Sequence, residues 1–109
     1  MYDTLSKTAL SERERRVRSK LCQLLSSAVL IKGSLSRRAT VCGKPGCRCT
    51  RGLKHASVCL VAYDKGSLRQ QHVPRALQAR VRTWVNTYRT VQALLDRLSG
   101  YAWQRLKQR

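Results

Sequence analysis

Val58-Cys59-Leu60-Val61-Ala62-Tyr63, then Asp64-Lys65-Gly66-Ser67, then Leu68-Arg69-Gln70-Gln71-His72-Val73, is the stretch that separates a mixed α+β chain from an all-helical one. The first six residues form a short, apolar, β-prone run. Asp64 to Ser67 have hairpin-turn chemistry, with Gly66 supplying the positive φ such turns need. Leu68 to Val73 return as the partner strand. Pro74 then stands where a helix accepts proline best, in its first turn.

Downstream of the hairpin, Leu77, Val81, Trp84, Tyr88, Val91, Leu95, Leu98 and Ala102 step strictly by four and three. That rhythm predicts a long amphipathic helix over 74–99 with a narrow apolar seam. Gly100 is expected to end or bend it, leaving 100–109 as a basic tail that orders on a partner. Arg75, Arg82 and Arg89 are seven apart and form a separate, solvent-facing stripe. Upstream, Ser11-Glu12-Arg13-Glu14 has the form of a capping box, in which each side chain satisfies the other residue's free amide. Val17, Leu21, Leu24, Ala28 and Ile31 continue from it as one stripe. They predict a helix over 11–32 that Gly33 stops, with Arg13, Arg16 and Lys20 turned away from the stripe. Residues 34–41 then run extended. The expected fold is α+β: an N-terminal helix, a zinc knuckle with a small antiparallel hairpin or sheet over 33–73, and a long C-terminal helix. At 109 residues, 1–109 is read as a single small basic domain. The two matching seams can pair antiparallel within one chain or between two copies, as a homodimer.

Between the first helix and the hairpin lies Cys42-Gly43-Lys44-Pro45-Gly46-Cys47-Arg48-Cys49, with His55 six residues on. Zinc takes four soft or borderline ligands in a tetrahedron, and three cysteines with one histidine are a common structural set. Gly43, Pro45 and Gly46 let the backbone turn so that neighbouring thiolates converge. Lys44 and Arg48 favour the thiolate forms. Cys42, Cys47, Cys49 and His55 are therefore the expected ligands of a structural zinc ion, with His72, Cys59 or Cys22 as alternative fourth ligands. Five cysteines are an odd number for a disulfide framework. Four closed ligands leave no open position for catalysis.

Charge sets the partner class. The chain carries 23 Lys+Arg against 5 Asp+Glu, a formal charge of +18 and a pI near 11.1. Self-repulsion of that size calls for a polyanion, and nucleic acid, RNA or DNA, is the expected partner. Arg37, Arg38, Lys44, Arg48, Arg51 and Lys54 cluster around the knuckle with no acid between residues 33 and 55. With Arg75, Arg82 and Arg89 they are the expected phosphate contacts. Aromatic residues make up 6% of the chain and phenylalanine is absent, which favours duplex or structured targets over free single strands. Trp84 and Tyr88 belong to the helix seam, and Tyr63 and Trp103 are the candidates for base stacking. No stretch has the roughly 18 apolar residues of a membrane span, and the start lacks the layout of a signal peptide. A cytoplasmic, membrane-free protein is expected. Five acids offer little material for acid–base or two-metal chemistry, so an enzyme is not expected.

Gly33-Ser34-Leu35, the string from Cys42 to Cys49, Gly52 and His55, followed by a hairpin and by Val73-Pro74 opening a helix with Trp84 and Tyr88, resemble a known group. These are small bacterial and archaeal proteins of an uncharacterised family, often encoded near mobile elements or transposases. The resemblance covers about residues 30–99 and implies a zinc knuckle on Cys42, Cys47, Cys49 and His55. After His55 the chain departs from the pattern, with Ala56-Ser57-Val58-Cys59 where the family continues with Gly-Pro and a tyrosine-rich strand. The expected function is a non-enzymatic, zinc-containing nucleic-acid-binding accessory of a mobile element or another RNA- or DNA-directed complex. Its protein partner would be a larger transposase or ribonucleoprotein subunit. The alternative is a helical adaptor of a ribonucleoprotein that works mainly through protein contacts.

Overall fold

The computed structural model describes residues 2–40 and 55–108. Helix α1 spans Glu12–Ser27, strands β1, β2 and β3 span Ser34–Thr40, His55–Asp64 and Ser67–His72, and helix α2 spans Gln78–Lys107. Single 3-10 turns occupy Lys7–Ala9 and Arg75–Leu77. The architecture is α+β, as the sequence predicts. The chain divides into two compact units, Ile31–Val85 and a helical one made of Met1–Leu30 with Asn86–Arg109.

The first unit is built on an antiparallel sheet of order β1-β2-β3. The predicted hairpin is its β2–β3 pair, from Cys59 opposite His72 to Asp64 opposite Ser67. Both central turn residues have positive φ, 52° at Lys65 and 81° at Gly66. That two-residue turn matches the right-handed twist of the strands it joins. The polar run 34–40, read from sequence only as extended, is a full third strand paired from Ser34 opposite Val61 to Thr40 opposite His55. Leu35 and Leu60 are direct cross-strand partners and so share a face. With Ile31, Val58 and Trp84 they pack on the buried Val73, Val81 and Val85. Two backbone bonds tie the ends in: the Val73 amide donates to the Val58 carbonyl at 2.8 Å, and the Ile31 amide to the Trp84 carbonyl at 3.2 Å.

Gly33 does not stop the first helix. It sits at φ +154°, where an added Cβ would meet Leu60 Cδ1 at 2.9 Å and the Val61 carbonyl at 3.0 Å. Its place is set by the close approach of the chain to β2 as β1 begins. Helix α1 instead ends at Ser27, short of the predicted residue 32. The hydroxyls of Ser26 and Ser27 both donate to the Gln23 carbonyl, at 2.9 and 3.4 Å, in competition with the backbone ladder. Ala28 is already extended.

In the helical unit, Val17 and Leu21 of α1 bury against Val91 and Leu94 of α2, with Leu24, Leu30, Leu98 and Tyr101 around them. Each such side chain contributes about 1.5–3 kcal/mol by leaving water. Helix α2 differs from its sequence reading in two ways. It runs through Gly100 to Lys107, because one glycine costs a helix only about 1 kcal/mol. Its second half buries Leu94 while Leu95 and Ala102 stay exposed, so the single four-three seam does not hold along its length. The stretch before it buries Val81 and Val85 in the sheet unit, and a seam chosen for one partner does not serve two. Pro74 also precedes the helix rather than entering it, and its carbonyl accepts the Leu77 amide at 2.9 Å to close the 3-10 turn. Among the described residues, no helix is long and apolar enough to cross a membrane.

Candidate nucleic-acid interface

Strand pairing fixes where the cysteine-rich segment joins the sheet. Thr40 and His55 are direct cross-strand partners at the ends of β1 and β2. The two residues that flank 41–54 in sequence are therefore adjacent on the sheet. Cys42, Cys47, Cys49, Lys44, Arg48, Arg51 and Lys54 lie outside the described residues. Of the expected zinc ligands only His55 is among the described residues, as the first residue of β2. The donor set itself, three thiolates and an imidazole, has the chemistry of a closed tetrahedral zinc site. Of the alternative fourth ligands, Cys22 is exposed on α1 in the helical unit, and Cys59 is half-buried on β2 in the sheet unit with His72 as its cross-strand partner. Cys59 and His72 alone are two donors of the four such a site needs. Among the described residues no group of three or more His, Cys, Asp or Glu side chains is placed to hold a metal ion.

Beside that junction the sheet unit has a cleft of about 460 Å³. Arg37 reaches it from β1, Ser57 and Val58 from β2, and His72 from the end of β3. Val73, Arg75 and Gln78 come from the connection into α2. The register explains the grouping. Arg37 lies directly opposite Val58, and Val58 accepts the Val73 amide, so the start of the 3-10 turn is drawn next to β1. Val73 is 4% exposed and forms an apolar floor, while Arg37, His72 and Arg75 are exposed at the rim. Among the described residues, no acid lines this cleft. A second cleft in the same unit, between Lys32, Tyr63 and Arg69, includes Asp64 and so has its charge partly cancelled. The Arg37–Arg75 cleft has the chemistry better suited to an anion, because two guanidinium groups can each present paired donors to phosphate oxygens.

The expected contact residues therefore separate. Arg37 and Arg75 come together, although they are 38 positions apart in the chain. Arg38 follows Arg37 on β1, opposite Ser57. Arg82 and Arg89 are exposed on α2, the first in the sheet unit and the second in the helical one, and neither lines the cleft. Ser57, His72 and Gln78 complete the lining and were not among the expected contacts. Only the tertiary arrangement could reveal them, since nothing local marks a serine on the neighbouring strand or a glutamine at the start of α2 as lining a cleft with Arg37. Trp84 is half-buried against the sheet core, with the Arg80 guanidinium 5.7 Å from its ring centroid, and Tyr88 is also half-buried. Tyr63 and Trp103 are 72% and 62% exposed, free to present aromatic faces to solvent.

Comparison with curated proteins and with solved structures finds no match. Residues 8–83 match a family described as Domain of unknown function (DUF6788), a span that takes in α1, the whole sheet and the first six residues of α2. The chain belongs to this DUF6788 family.

Proposed function

We propose that this protein is a non-enzymatic, zinc-containing nucleic-acid-binding protein that grips the phosphate backbone of duplex or structured DNA or RNA. The observation that carries the reading is the cleft of Arg37 and Arg75, which no described acid lines, on strands whose paired ends Thr40 and His55 flank the cysteine-rich segment in sequence. A net charge of +18 supplies the long-range attraction, and the cleft supplies a directed contact. Zinc would be held by Cys42, Cys47, Cys49 and His55. It would join the two strand ends covalently in effect, contributing structure and no chemistry. A role as accessory to a mobile element or another DNA- or RNA-directed complex rests on the resemblance of the Gly33 to His55 string.

Binding and metal are tested together. Arg37→Gln with Arg75→Gln should lower the slope of log affinity against log salt by about 2, because each lost phosphate contact removes about 0.9. Cys47→Ser should lose the bound zinc, measured by elemental analysis, and lower the melting temperature. Unchanged slope would sink the cleft, and unchanged metal content and melting would sink the zinc site.

The exposed Leu95, Trp103 and Leu106 on α2 favour a second reading, a helical adaptor within a ribonucleoprotein. They recur at helical spacing on one side of α2. Partner capture that persists at high salt and disappears with Trp103→Ser would favour the adaptor.

A further inference from the structure

The helical unit has a basic cleft of its own, of about 420 Å³. Arg13, Arg16 and Lys20 line it from α1, Arg97 lines it from α2, and Val17 and Leu94 complete the lining. On α1 the three cations are three and four residues apart, so they fall within about 60° of the helix circumference. Arg16 is engaged by Glu12, with Nη2 to Oε1 at 2.6 Å. Arg13, Lys20 and Arg97 form no ion pair or hydrogen bond with any described residue. Nearby acids do not answer them. Glu12 is taken by Arg16, Glu14 is taken by Arg18 and Arg105, and Asp96 is exposed one residue before Arg97 without lining the cleft. Three uncompensated cations thus converge from two helices on one concave surface, against their mutual repulsion.

We propose that this cleft is a second phosphate-backbone site, on which α1 and α2 seat one strand of a nucleic-acid duplex separately from the Arg37–Arg75 cleft. The chemistry argues for backbone rather than bases. Val17 and Leu94 are 3% and 8% exposed, so the apolar floor is closed, and among the described residues no aromatic side chain lines the cleft for stacking. The rim offers only cationic donors. Arg13 and Lys20 are seven positions apart, a run of about 10.5 Å along α1. A duplex strand rises about 3.4 Å per phosphate along the duplex axis, so a run parallel to that axis spans about three phosphates. A straight row of cations suits a stiff, regularly charged duplex better than a collapsed single strand. This inference rests on the proposed nucleic-acid reading but concerns a surface that reading does not use.

The test compares the full-length wild type, Arg13→Gln/Lys20→Gln/Arg97→Gln, and Arg37→Gln/Arg75→Gln by fluorescence anisotropy. Each is titrated with a duplex DNA and a duplex RNA of equal length over a range of potassium chloride. Glutamine is a good helix former and all three positions are surface cations without partners, so circular dichroism should show an unchanged fold. The triple variant should lose about 2–3 from the salt slope. The wild type would then lose roughly 40-fold more affinity than the variant between 50 and 200 mM salt. Loss on DNA alone or on RNA alone names the source of the backbone, and either supports the proposal. A folded triple variant with the wild-type slope, while Arg37→Gln/Arg75→Gln lowers it, overturns this site and leaves the proposed function standing. A wild type that binds neither duplex overturns both. Should the triple variant unfold, photo-crosslinking of the wild-type complex decides. Cross-links to Arg13–Lys20 support the site, and cross-links confined to residues 31–85 overturn it.

Discussion

Glu14 is the residue whose surroundings differ most from its local sequence pattern. The capping box is half made: the Ser11 hydroxyl accepts the Glu14 amide at 3.1 Å, which caps α1. The carboxylate does not return to the cap. It accepts from Arg18 Nε and Nη2 at 3.1 and 2.9 Å, and from Arg105 Nη2 at the far end of α2. Its side chain is 1% exposed, while both arginines remain well wetted. Burial alone would raise the carboxyl's pKa, but the hydrogen bonds and charges of Arg105 and Arg18 outweigh it, and the pKa lies below the ordinary glutamate value. The folded state therefore binds this proton less readily than the unfolded chain. Its contribution is fully present above the ordinary glutamate pKa and is lost as pH falls through the lower, folded value. Glu14→Gln should lower stability by about 1–2 kcal/mol at neutral pH, a discounted figure because the partners are half in water. Melting curves from pH 7 down to pH 3 should show the wild type losing this advantage and the variant a flatter acid limb. Parallel curves would contradict the assignment.

At the scale of the element, the hairpin turn is formed but not optimised. Lys65 holds a left-handed φ of 52° that costs a residue with a Cβ about 1 kcal/mol, whereas asparagine adopts it more readily. Lys65→Asn should stabilise the sheet unit by about 0.5–1 kcal/mol, visible as a higher urea midpoint with an unchanged slope. No gain would mean that the lysine is held by contacts beyond its own backbone. The turn was legible because Asp-Lys-Gly-Ser chemistry is local. Both helices were legible because periodicity is local. What the sequence did not disclose depends on partners distant in the chain. Ser34 to Thr40 have no strong strand composition, and only pairing with β2 makes them a strand. Leu94 is buried in place of Leu95 because α1 decides which side of α2 is covered there. Of the candidate site, the cationic residues could be picked out by charge alone, but that Arg37 meets Arg75 across β2 could not.

For the molecule as a whole, repulsion among 23 Lys+Arg far exceeds what three ion pairs among the described residues can offset. Added salt screens both, and the larger effect wins. The melting temperature should rise between about 50 and 500 mM potassium chloride, the reverse of a protein held by surface salt bridges. A falling melting temperature would show that the ion pairs around Glu14 matter more than the net charge. Chain order adds a constraint of a different kind. The sheet unit is one uninterrupted stretch, Ile31–Val85, whereas the helical unit draws on both sides of it. Glu14 and its partner Arg105 are 91 positions apart. At about 5–20 residues per second, the Val17–Leu21 stripe is synthesised roughly 4–15 seconds before Val91 and Leu94, which cover it, exist. That stripe travels bare through the interval, and the sheet has its whole sequence available before the helical pair can close.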